Sequence, residues 1–161
     1  MINYRSLNAT EDWCFFFEDC AIPPENLVQI KPLTEESAQN LWRQYVSPHP
    51  NFDHPALLLQ ESWPQKLRSS PTYAEWKYDW NDDTSTDFQD WLIRNLPNTS
   101  LIFQWSSCDA VQTSTEIFIC HWRNFLFSDE GPFVWSLQQP QAIRFMPNGV
   151  AYAGFRCSME S

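Results

Sequence analysis

Two apolar runs, Ala142 to Met146 and Val150 to Phe155, flank the tripeptide Pro147-Asn148-Gly149. Asn-Gly between apolar segments is the strongest short-range signal for a β-hairpin, because the tight turn needs backbone that tolerates positive φ. The C-terminal part of the chain is therefore expected to pair antiparallel. A second turn, Asp129-Glu130-Gly131-Pro132, precedes Phe133 to Leu137, which reads as another strand of the same meander. Helical signals lie upstream, and no alternation of strand, helix and strand occurs. The expected class is α+β, a single globular domain over residues 1–161. Its antiparallel sheet, with the C-terminal strand meander, packs against two to four helices.

Thr34 is a helix N-cap candidate, with Glu35 and Glu36 where the helix dipole favours them. Ala38, Leu41, Trp42, Tyr45 and Val46 then recur on one helical face, and Pro48 and Pro50 end the pattern. Asp83 or Thr84 is placed to cap a second helix, Thr84 and Asp87 having capping-box spacing. Phe88, Trp91, Leu92 and Leu96 supply its apolar face. Leu101 to Trp105 reads as a strand. Residues 115–127 are apolar on almost every side, and their length favours a buried helix. Trp13 to Phe17 reads as a buried strand or the start of a core element. Residues 47–83 are rich in proline and read as an ordered loop pinned by aromatics, with a short helix around Pro55 to Glu61.

Composition excludes several functions. Twenty acids face ten bases, for a net charge of −10. Phosphate-backbone binding needs clustered cations, so no nucleic-acid partner is expected. An acidic surface suits solubility and can steer a protein towards a basic partner. No apolar run approaches the roughly 18–20 residues of a membrane span, and Met1 to Thr10 lacks the apolar core of a secretory signal. The five cysteines contain no C-x-x-C and read as reduced thiols, so a cytoplasmic location is expected. Three glycines leave no G-x-G-x-x-G, Walker A or G-x-S-x-G motif. No cofactor is expected.

Three segments carry candidate chemistry. His49, Asp53 and His54 are the weak candidates for a metal site, with no fourth ligand evident nearby and a proline between the histidines. His121 adjoins Cys120, but neighbouring residues on a helix do not face each other. Cys108, beside Asp109 in an expected turn, is the most exposed thiol in this reading. The most distinctive segment runs from Glu75 to Trp91. Six acids and one base between Glu75 and Asp90 carry half of the net charge of −10, interleaved with Trp76, Tyr78 and Trp80. Packing accounts for such a segment if the tryptophans cover the core while the acids face water. A partner surface built from Trp76, Tyr78, Asp79, Trp80, Asp82 and Asp83 is the functional alternative, aromatics supplying area and carboxylates steering encounter. Paired carboxylates for glycoside chemistry are a third.

The motifs Ile22-Pro23, Ile30-Lys31-Pro32-Leu33, Leu41-Trp42 and Val46-Ser47 resemble the N-terminal half of a family of small bacterial proteins. Trp122, Phe125-Leu126-Phe127 and Asp129-Glu130-Gly131-Pro132 extend the resemblance. That family is a domain of unknown function, chiefly gamma-proteobacterial, and it implies no activity. The leading expectation is a non-enzymatic module that binds a basic protein partner, of which an immunity or inhibitor protein is one form. The alternative is an enzyme, metal-dependent in one form, assembled from His49, Asp53, His54, Asp129 and Glu130.

Overall fold

The computed structural model describes residues 1–49, 51–128 and 130–156. Within them one sheet holds β1 (Lys31–Pro32), β2 (Thr72–Glu75), β3 (Ser100–Ser106), β4 (Asp109–Ser114), β5 (Phe133–Ser136), β6 (Gln141–Phe145) and β7 (Val150–Phe155). The order across the sheet is β1-β4-β3-β5-β6-β7-β2, and every neighbouring pair is antiparallel. The Asn-Gly hairpin forms as expected, pairing β6 with β7 from Gln141↔Phe155 to Phe145↔Ala151. Gly149 has φ 91°, a conformation that a Cβ would strain, and its amide donates to Met146 O at 3.0 Å to close the turn.

The helices are α1 (Pro24–Leu27), α2 (Glu35–Leu41), α3 (Trp63–Lys66), α4 (Asp87–Asn95), α5 (Thr115–Cys120) and α6 (Trp122–Phe125). They outnumber the expected two to four because several are single turns. Thr34 caps α2 as its sequence suggested, accepting from Ser37 N at 3.2 Å. Most of residues 115–127 is helical, as α5 and α6 with a break at His121, and the helix stops at Phe125.

Helices cover both faces of the sheet. Side chains alternate along a strand, so each strand feeds two cores. Leu101, Phe103, Val134, Ile143 and Phe145 pack with Phe88, Leu92, Phe118 and Trp122 on one face. Ile102, Phe133, Trp135 and Ala142 pack with Leu41, Trp42, Trp63 and Leu67 on the other. This double burial explains why Phe133 to Ser136 show no polar–apolar alternation.

Three expectations are corrected. Trp13 to Phe17 is no strand; Trp13–Phe15 make a 3-10 turn that buries Cys14 and Phe15 and leaves Trp13, Phe16 and Phe17 partly exposed. Its neighbour Asp12 explains the choice. Both Asp12 oxygens accept from the Arg5 guanidinium at 2.8 Å and one accepts from Asn8 N, which locks a turn ahead of the aromatic run. The proline-rich stretch is also more regular than expected, since it contains α3 and β2. The helix expected around Pro55 to Glu61 is a shorter 3-10 turn, Pro55–Leu57.

Candidate functional site

The acidic aromatic segment begins where β2 ends. Trp76 opens a 3-10 turn (Trp76–Tyr78) and is buried; Trp80 is half-buried. Their rings lie 5.4 Å apart, and Trp80 continues onto Trp122 at 5.9 Å and Phe127 at 5.4 Å. The two tryptophans thus fasten the segment to the core beside α6.

Asp79 is only 7% exposed. Its Oδ2 accepts from the Ser85 hydroxyl and from Phe88 N, both at 3.0 Å. Phe88 lies in the first turn of α4, where backbone amides lack helical partners. Asp79 therefore does from a distance what an N-cap does locally, and Thr86 at the cap position makes no side-chain bond to the helix amides. The capping box expected from Thr84 and Asp87 does not form. Thr84 instead donates its hydroxyl (2.6 Å) and its amide (3.0 Å) to Asp82 Oδ1. These bonds, the hydroxyl first, hold the Asp82 carboxyl below the usual carboxylate range.

Arg123 of α6 completes the support. Its Nη2 donates to Asp79 O at 2.6 Å and Asp82 O at 3.2 Å, and its Nε donates to Trp80 O at 3.1 Å. One guanidinium therefore clamps three carbonyls of the turn. What faces water is Tyr78, 68% exposed, together with Asp82, Asp83, Asp87 and Asp90. The six candidates divide cleanly: Trp76, Asp79 and most of Trp80 build the turn, while Tyr78, Asp82 and Asp83 are presented by it. Arg123 escaped the sequence reading because it lies some forty residues away in the chain.

The histidine loop divides as well. His49 and Asp53 line a cavity of about 190 Å³ with Gln39, Trp42, Ser107 and Cys108. Ser107 N donates to Asp53 O at 2.8 Å, which carries the β3–β4 turn and Cys108 to this loop. Gln39 Nε2 lies 3.2 Å from Cys108 Sγ. His54 is engaged elsewhere. Its Nδ1 accepts from Ala56 N at 3.0 Å, so Nε2 carries the proton and donates to Glu130 at 3.2 Å. With both ring nitrogens used, His54 does not join His49 and Asp53, and among the described residues no group of three or more His, Cys, Asp or Glu is placed to hold a metal. Asp129 lies outside the described residues. His121 pairs with Asn26 Nδ2 at 2.9 Å, and burial lowers its pKa.

Fold and site together define a small α+β protein, a helix-covered antiparallel sheet that presents a braced acidic turn. The chain belongs to the family described as protein of unknown function (DUF2947), whose model matches residues 4–154 and so takes in almost the whole sheet. No curated protein and no solved structure matches the chain. No helix among the described residues is long and apolar enough to cross a membrane.

Proposed function

We propose that this protein is a non-enzymatic binding module whose acidic turn, with Tyr78, Asp82 and Asp83 outward, docks a basic protein surface. The observation that supports this most is the brace beneath the turn, Asp79 and Arg123 fixing the backbone that carries the exposed carboxylates. A preordered loop loses less conformational freedom on binding. Exposed carboxylates speed encounter with a cationic partner, and a tyrosine adds contact area at low entropic cost. Inhibition of a basic toxin, in the manner of an immunity protein, is one form of this function. The reading assigns the work to the cytoplasm, in keeping with the free thiols of Cys14, Cys20, Cys108 and Cys120. Asp82→Lys with Asp83→Lys tests it in a pull-down from the native cell. Partner recovery is expected to fall about tenfold and to weaken with salt in the wild type. Recovery that is unchanged by the reversal removes the acidic turn from the interface.

A second reading, a thiol-dependent enzyme, draws on the cavity shared by His49, Asp53 and Cys108. It requires an activated thiolate. In the binding-module reading Cys108, exposed and approached by an amide and a hydroxyl, reacts with iodoacetamide at the rate of a free cysteine. Cys14, whose pKa burial pushes up to about 12, stays unmodified in the folded protein. Peptide mapping after timed alkylation measures both. A Cys108 rate far above that of free cysteine, lost in His49→Ala, would favour the enzyme.

A further inference from the structure

Arg144 sits on β6 between Ile143 and Phe145, which point into the core beneath α4. The strand's alternation turns Arg144 to the opposite face, the side of α3, where it is 2% exposed. Its Nε donates to Gly131 O at 2.7 Å, and its Nη1 donates to Pro64 O at 2.9 Å and to Gln65 Oε1 at 3.2 Å. Its Nη2 reaches Pro55 O at 3.4 Å. All four acceptors are neutral. Gln65, the side-chain acceptor among them, also lines an open cleft of about 820 Å³.

Lys66 and Arg68 line the same cleft, with Ser69, Asn148 and Tyr152. Their placement follows from the turn that carries them. Trp63, Pro64 and Leu67 are buried, while Lys66, Arg68 and Ser69 are exposed. Among the described residues neither Lys66 nor Arg68 has a carboxylate within 4.0 Å. A chain with twenty acids and ten bases thus places two of its bases on one cleft and a third, the buried Arg144, behind the Gln65 side chain that lines it. Arg68 lies close enough to Arg144 for its charge to add to burial in lowering the Arg144 pKa, to about 10. The repulsion between the two guanidiniums is offset by no carboxylate within 4.0 Å of either among the described residues.

We propose that this cleft binds the anionic end of a small organic molecule, a phosphate or carboxylate group held by Arg68 and Lys66 over the buried charge of Arg144. An anion there offsets the repulsion between Arg68 and Arg144. The Ser69 hydroxyl and the Asn148 amide supply hydrogen bonds that an oxyanion needs as it leaves water. Leu58 and Met146 give the cleft an apolar part for the rest of the molecule, and its size falls within the range of small-molecule sites. The cleft lies on the face of the sheet opposite the acidic turn's tryptophans and does not depend on that turn for its chemistry.

Amide NMR of the full chain tests the proposal by titration with inorganic phosphate and, separately, with acetate, against sodium chloride at equal ionic strength. Saturable shifts at Ser69, Asn148 and Tyr152 are expected with phosphate, acetate or both, and the tighter anion identifies the charged end. Arg68→Ala and Lys66→Ala alter exposed side chains and should leave the spectrum's dispersion intact. Each is expected to weaken binding about tenfold, whereas Lys31→Ala, on a distant edge strand, leaves it unchanged. Shifts no greater than those from chloride overturn the proposal. So does binding that survives the Arg68→Ala, Lys66→Ala double variant.

Discussion

Phe103→Ala is expected to destabilise the protein by about 3–5 kcal/mol. Phe103 occupies the middle of β3 and is fully buried. Its ring lies 4.8 Å from Trp105, 5.6 Å from Phe118, 5.2 Å from Phe125 and 5.9 Å from Phe145. Those partners belong to β3, α5, α6 and β6, so a single side chain ties two strands to two helices. Truncation removes the transfer free energy of the ring and leaves a cavity. The cavity cannot close readily, because its walls are rings fixed on four separate elements. Urea unfolding is the measurement, with a lower midpoint at unchanged slope as the expected pattern. Phe155→Ala, at an exposed position on β7, is the natural control and should lie within about 0.5 kcal/mol of wild type. A Phe103→Ala loss below about 1 kcal/mol would mean that the cluster repacks, contrary to the rigid arrangement described.

Asp79→Ala comes next, with an expected loss of about 2–3 kcal/mol. The substitution strands a buried donor, Phe88 N–H, and frees the Ser85 hydroxyl. It also removes a negative charge from the positive end of α4. Asp79→Asn keeps an acceptor oxygen in place and should recover part of the loss. Hydrogen exchange separates a local effect from a global one: the Phe88 amide is expected to lose protection before the amides of β3 do. Wild-type stability in Asp79→Ala would show that Arg123 alone holds the turn.

Much of this fold was legible in the residues, and for identifiable reasons. The hairpin at Asn148-Gly149 and the cap at Thr34 are local chemistry, written within a few positions of where they act. The helical character of residues 115–125 was readable from length, but not its break at His121. β1, β2 and β4 were not. Lys31–Pro32 is too short for any pattern, and β2 is recruited by pairing with β7 (Thr72↔Ala153) after a proline-rich stretch. The acidic segment was visible as charge and aromatics. Its internal division was hidden, because Asp79 is distinguished from Asp82 and Asp83 only by Phe88 and Arg123 reaching it in space. The cationic cleft was hidden more completely, since its bases are ordinary in number and Tyr152 and Asn148 join it only through the sheet. One signal did exist: Arg144 interrupts an apolar strand between Ile143 and Phe145, where a charged side chain needs a reason to be.

The strand order has a consequence for how the molecule is made. β1 and β2 form the two edges of the sheet, yet they leave the ribosome before any strand they pair with. At about 5–20 residues per second, β2 exists for several seconds before β7 emerges. A waiting strand with open hydrogen-bonding groups is a hazard in a crowded cell. These two are only two and four residues long, one contains Pro32, which has no amide hydrogen to offer, and the other directly follows Pro71. Brevity and proline leave the nascent chain little with which to recruit a stranger before its own centre arrives.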